Sequence, residues 1–244
     1  VNWAVPGTRF YAQLMALYEE LRQVLEQQGL SGYVSLLPPE TFHTTIADIA
    51  VWPQEGAAQK IIAAGRKALG SLSQENIPAV KMFAAGLSIS AAVSIALRVH
   101  LQDQTGLANI YKIRQGMFNE FEPLGVGTNG NFIGHITFAY LVKDIPPADY
   151  RKLKDVLLRY ENRFVGAFDM DKVELRTFDT MAAWSEPLVT LALGSHAQFP
   201  GIIRNARAVT KFADRAEAEA RVVEQIATAR MLVANTLGAD AVER

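Results

Sequence analysis

Two of the chain's four histidines fall in the same five-residue pattern, His43-Thr44-Thr45-Ile46-Ala47 and His135-Ile136-Thr137-Phe138-Ala139. Both are His-x-Thr-x-Ala set in β-branched or aromatic runs, the composition of a strand. Side chains alternate across a strand, so His43, Thr45 and Ala47 are expected on one face, and His135, Thr137 and Ala139 likewise. Ile46, Ile136 and Phe138 then turn toward a core. Hydrolysis of a phosphodiester needs a base to activate water, an acid to protonate the leaving oxygen, and donors for the phosphoryl oxygens. Two imidazoles and two hydroxyls provide that set. Histidine is the side chain whose ordinary pKa lets one copy be neutral and another charged near neutral pH, so an opposed pair can serve as base and acid without a metal. His43 and His135 are therefore the candidate catalytic pair, with Thr45 and Thr137 as candidate phosphate contacts. A single strand histidine is as readily a structural residue; the matched pair carries the argument.

Other residues near the motifs bear on the same chemistry. A metal site would need a carboxylate or a third ligand beside the histidines, and alternation turns Asp48 away from His43, so neither a metal nor a cofactor is expected. His100 and His196 lack a matching threonine, which favours structural or surface roles. Tyr33, Phe42, Phe132 and Tyr140 are placed to stack on a base, with core packing as the competing reading; Phe42 and Tyr140 are taken as candidate substrate contacts. The loop Gly127-Thr128-Asn129-Gly130 could cradle phosphate through its amides, although a plain connection is the commoner role of such a segment.

The elements that must hold these residues follow from periodicity and punctuation. Helical spacing of apolar residues predicts helices over Arg9 to Gln28, Ala57 to Leu72, Leu107 to Phe121 and Ala148 to Asn162. Strand-like runs cover Tyr33 to Leu37, Phe42 to Val51, Ala79 to Ala85, Ala91 to Leu101, Phe132 to Val142, Val173 to Phe178 and Leu188 to Leu193, with Gly86-Leu87-Ser88 as a turn. The fold class is α+β, with a similar helix and strand set occurring twice. From about Ala206 to Leu237 the chain is rich in Ala, Glu and Arg and predicts one long helix, which either packs on its own domain or pairs with a second copy to make a homodimer. Residues 1–195 are read as one two-lobed domain and 196–244 as a helical extension.

Composition bounds the class of partner. The chain has 244 residues, half of them hydrophobic, and a net charge of −1, so the broad basic surface that holds long nucleic acid is not implied. It contains no cysteine, which excludes disulfides, thiol nucleophiles and zinc-cysteine sites. No apolar run approaches the roughly 20 residues of a membrane span. A cytoplasmic location without a membrane partner is the default expectation.

The chain resembles the two-histidine phosphoesterase superfamily, whose members include RNA 2′,3′-cyclic phosphodiesterases and the 2′-5′ RNA ligase-like proteins. The resemblance spans roughly residues 1 to 195. It rests on Leu37-Pro38-Pro39-Glu40-Thr41-Phe42-His43-Thr44-Thr45-Ile46 and on Gly134-His135-Ile136-Thr137-Phe138, which look like the family's first and second motifs. It implies a bilobal fold of duplicated β-α-β units, two antiparallel sheets flanking a central cleft, and a metal-free mechanism. His43 and His135 would be the acid–base pair, Thr45 and Thr137 the phosphate binders. The implied substrate is a small nucleotide or short RNA end bearing a cyclic phosphate, and a catalytically silent phosphate- or nucleotide-binding protein of the same fold is the alternative. Many relatives carry an arginine shortly after the second motif, where this chain has Tyr140; Asp48 holds the corresponding place after His43.

Overall fold

The computed structural model describes residues 1–47, 57–90, 94–126 and 132–194. In chain order the elements are β1 (Asn2–Trp3), α1 (Arg9–Gln27), β2 (Val34–Leu36), β3 (His43–Thr44), α2 (Ala57–Leu72), β4 (Val80–Ser90), β5 (Ser94–Leu101), α3 (Gln104–Phe121), β6 (His135–Leu141), α4 (Pro147–Leu158), β7 (Phe164–Met170), β8 (Lys172–Leu175), β9 (Phe178–Thr180), β10 (Ala183–Trp184) and β11 (Val189–Ala192). The α+β expectation holds. An antiparallel sheet of seven strands runs in the order β1-β3-β6-β5-β4-β7, with β2 also paired to β6, and two-stranded sheets β9-β10 and β8-β11 lie beside it. The implied pair of sheets facing across a cleft is realised differently in one respect: β3 bonds directly to β6, so both motifs belong to the large sheet.

Local chemistry explains the helix limits. Thr8 caps α1 by accepting from the Tyr11 amide, and Asp103 caps α3 by accepting from the Gly106 amide, each satisfying a donor that the first turn leaves open. Gly29, at φ +68°, takes the left-handed conformation just past the end of α1. The stripe Phe10, Leu14, Leu17, Leu21 and Leu25 of α1 is buried, and Phe10 stacks on Phe168 of β7 with ring centroids 4.3 Å apart. That stripe seals one face of the sheet.

Several strand limits differ from the sequence expectation, and Val173 to Phe178, expected as one strand, is divided between β8, which ends at Leu175, and β9, which starts at Phe178 in another sheet. The segment Gly86-Leu87-Ser88 is not a turn: β4 runs through it from Val80 to Ser90, and the register shift between Ala84 and Leu87 marks a bulge. Gly86 absorbs the bulge at φ +81°, where a Cβ would collide with the Glu161 carbonyl and the Arg98 guanidinium. In the first motif, regular pairing is confined to His43 and Thr44 among the described residues. The expected continuation beyond Ala47, with Asp48, lies outside them. The same is true of the loop at 127–130, of His196 and of the predicted helix from Ala206 to Leu237. No helix among the described residues is long and apolar enough to cross a membrane.

Candidate active site

Thr44 pairs with Ile136 across the antiparallel β3–β6 ladder. Continuing that register by one residue sets His43 across from Thr137, and alternation along β6 puts His135 on the same face as Thr137. Thr44 and Ile136 are buried, and Thr45 follows the paired stretch and is half-buried. The core side holds the two strands in that relation. Phe42 and Phe138 pack with centroids 5.0 Å apart, and Tyr18 of α1 meets them edge-on at 5.2 and 5.8 Å. The Tyr18 hydroxyl donates to the Leu37 carbonyl at 2.9 Å, tying α1 to the chain that enters the first motif.

Both histidines are held in the same way. His43 Nδ1 lies 2.7 Å from the Thr41 carbonyl and His135 Nδ1 lies 3.0 Å from the Ile133 carbonyl, in each case two residues back along the chain. A carbonyl only accepts, so Nδ1 carries the proton in the neutral ring and the lone pair is left on Nε2. The two environments differ. His43 is 6 % exposed and its pKa is lowered to about 4, chiefly by burial, with the Thr41 carbonyl opposing and the charges of His135 and Arg176 adding to the fall. His135 is half-exposed. His43 is thus kept as the neutral ring at neutral pH.

A second bulge sets what else faces the pair. Between β5 and β6, Ala96 is opposite Thr137 and Ile95 opposite Ala139, which leaves Phe138 as the extra residue. Phe138 and Ala139 then both turn to the core, where each is fully buried, and the alternation restarts one residue late. Ala139 therefore does not floor the site, contrary to strict alternation from His135. Tyr140 takes that side instead: it is opposite Ser94 of β5 and Ser35 of β2, and Ser94 shares its face with Ala96 and Arg98, the partners of Thr137 and His135. Arg98 is opposite His135 in the register, and its guanidinium donates to the Glu161 carbonyl beside Gly86. Phe42, taken from the sequence as a substrate contact, is instead 1 % exposed on the core face against Tyr18 and Phe138. It aligns the motif and cannot stack on a ligand from there.

The sequence reading missed an aromatic wall around His43. Trp3 of β1 pairs with His43, its ring 5.0 Å away, and Trp184 of β10 stands edge-on to His43 at 4.5 Å. Phe178 of β9 lies 4.6 Å from Trp184 and is 44 % exposed. Arg176 sits over Trp3 at 4.8 Å, and Glu174 anchors it. Glu174 also binds Lys172; burial alone would raise its carboxyl, but the bonds from Lys172 and Arg176 outweigh it and hold the pKa below the ordinary value. None of these residues has a local signal, because strand pairing and hairpin placement bring them to His43.

His100 lies on β5 with Phe83 stacked on it at 4.9 Å and its Nε2 3.4 Å from the Ala85 carbonyl, which agrees with a structural role. Among the described residues there is no group of three or more His, Asp or Glu side chains placed to hold a metal.

No family model matches the chain, and no curated protein matches it. Among solved structures, the crystal structure of TT0787 of Thermus thermophilus is similar over 73 % of this chain and 93 % of that one, at 15 % identity and a TM-score of 0.46. A likeness of that size decides neither family nor activity.

Proposed function

We propose that the chain is a metal-independent phosphoesterase that hydrolyses a cyclic phosphodiester, such as a 2′,3′-cyclic nucleotide or the cyclic end of a short RNA. The observation that carries this reading is the matched pair of ring-to-carbonyl bonds, which commits Nδ1 of each histidine to the backbone and leaves Nε2 of His43 and of His135 for proton transfer. His43, kept neutral, takes a proton from water at Nε2 as the oxygen attacks phosphorus. His135, the more accessible ring, gives a proton to the departing ribose oxygen. One P–O bond forms and one breaks, so the product is a phosphomonoester with a free neighbouring hydroxyl. Thr45 and Thr137 donate to the non-bridging oxygens, where charge accumulates, and Arg98 and Arg176 add positive potential from either side. Their charges stand in for the arginine expected after the second motif.

The test is incubation with a panel of 2′,3′-cyclic nucleotides and a cyclic-phosphate-ended oligoribonucleotide in excess chelator, with the products read by phosphorus NMR. Conversion to a single monoester is the expected result. A specific observation favours a second reading: His43 is covered by Trp3 and Trp184, which restricts approach to its ring. In that reading the chain binds a cyclic phosphate without turnover, and titration would show saturable binding with no product.

A further inference from the structure

We infer that Arg114 of α3 is a positioning residue for the proposed reaction, holding the Thr45 end of the first motif through the Ile46 carbonyl. That role rests on the proposed contact of Thr45 with a phosphoryl oxygen. The core-facing residues Ile110, Met117 and Phe121 of α3 recur at helical spacing, and Arg114 stands in the same stripe, four residues after Ile110 and three before Met117. It is 4 % exposed. A guanidinium there gives up its hydration, so leucine or methionine would be the ordinary occupant. Burial accordingly pushes the Arg114 pKa below its ordinary value, with Tyr111 opposing. A charge that breaks the apolar pattern of its own helix marks a place where something besides core packing is served.

The guanidinium lies over the Phe118 ring at 5.0 Å, and Nη1 donates to the carbonyl of Ile46, 68 residues away in sequence. Ile46 directly follows Thr45, where strand pairing gives no support. Among the described residues both ladders of β3 stop at Thr44, which pairs with Asn2 on one side and Ile136 on the other. A threonine that must meet a phosphoryl oxygen needs its hydroxyl held to within a fraction of an ångström, and such precision comes from fixed neighbours. Thr45 has one on each side. Before it stands the Thr44–Ile136 pair; after it, the fully buried Ile46 side chain fixes a position and the arginine fixes the direction of the carbonyl. The base of the arginine is itself rigid, because Ile110, Ile113 and Phe121 of α3 are all fully buried.

The experiment is a double-mutant cycle on kcat/KM for adenosine 2′,3′-cyclic phosphate in excess chelator, with chemical denaturation establishing that each chain is folded. Arg114→Met and Thr45→Val should each lower kcat/KM by about tenfold, and the two together by about tenfold rather than a hundredfold, because the arginine acts through the threonine. Combined with Thr137→Val, which lies on another strand, Arg114→Met should multiply to about a hundredfold. Arg114→Lys, which keeps a donor for the carbonyl, should restore most of the loss. If the methionine chain does not fold, the cycle is run with Arg114→Gln on the same expectation. Full activity in the folded Arg114 variant, or a hundredfold loss in the Arg114–Thr45 pair, would overturn the inference. If the ester binds but no chain hydrolyses it, the same cycle is read from dissociation constants. Coupling there, without turnover, sinks the hydrolytic reading while the positioning of Thr45 stands; absence of both binding and turnover overturns both.

Discussion

Phe42 and Phe138 touch across the two motif strands, with ring centroids 5.0 Å apart. Each precedes or follows a motif residue directly, Phe42 before His43 and Phe138 after Thr137, so the contact sets the spacing of the two motifs from the core side. Replacing either phenylalanine by alanine should destabilise the fold by about 3–5 kcal/mol, the usual cost of emptying a fully buried aromatic site. Chemical denaturation measures it. A Phe42→Ala chain of wild-type stability that binds substrate poorly would return Phe42 to the ligand side.

Burial of His43 makes stability depend on pH. The unfolded chain takes up a proton near the ordinary value of 6.5, whereas the folded chain refuses it until about pH 4. As pH falls from 6.5 to about 4, unfolding therefore becomes easier by up to about 3 kcal/mol, and no further loss from this group follows below that. His43→Gln should flatten that part of the curve. Parallel stability profiles for the two chains across the window would show that His43 is not kept neutral.

The same shift predicts the acid limb of the activity. A base working from His43 fails only once that ring is protonated, so kcat/KM in the free enzyme should hold well below pH 6.5 and fall toward pH 4. The alkaline limb reports loss of the proton from the acid. An acid limb near 6.5 in the wild type would assign the base to a more exposed ring.

Thr45→Val and Thr137→Val each remove one donor to a phosphoryl oxygen and leave both histidines in place. Each should lower kcat/KM by roughly tenfold, the scale of one hydrogen bond to a charged group. Steady-state kinetics on a cyclic nucleotide measures it, and a loss as large as that from a histidine variant would mean that the threonines do more than bind phosphate.

The helices and the motif strands were legible because their signals are local. Leu14, Leu17, Leu21 and Leu25 recur at helical spacing, and the repeated His-x-Thr identifies itself on sight. Alternation put His135 with Thr137 on one face of β6, and the β3–β6 register sets His43 across from Thr137. It failed two residues later. The bulge at Phe138 exchanges Ala139 for Tyr140 on the site face, and the register shift between Ile95 and Ala96 that defines it is a property of the β5–β6 pairing. Gly86 misled for a related reason: a glycine that punctuates many turns here sits in a bulge within β4. Trp3 and Trp184 reach His43 from two separate strands, with Arg176 over Trp3 behind them, and no spacing in the chain announces contacts between residues so far apart in sequence.

The most direct test of the two-histidine account is single-turnover hydrolysis of a 2′,3′-cyclic nucleotide by His135→Ala in excess chelator, beside the wild type. The wild type should turn over with chelator present, and the variant should fold normally and react roughly a hundredfold or more slowly, the usual worth of a positioned proton donor. A folded His135→Ala chain with wild-type turnover would contradict the account, as would activity that chelator removes and a divalent ion restores.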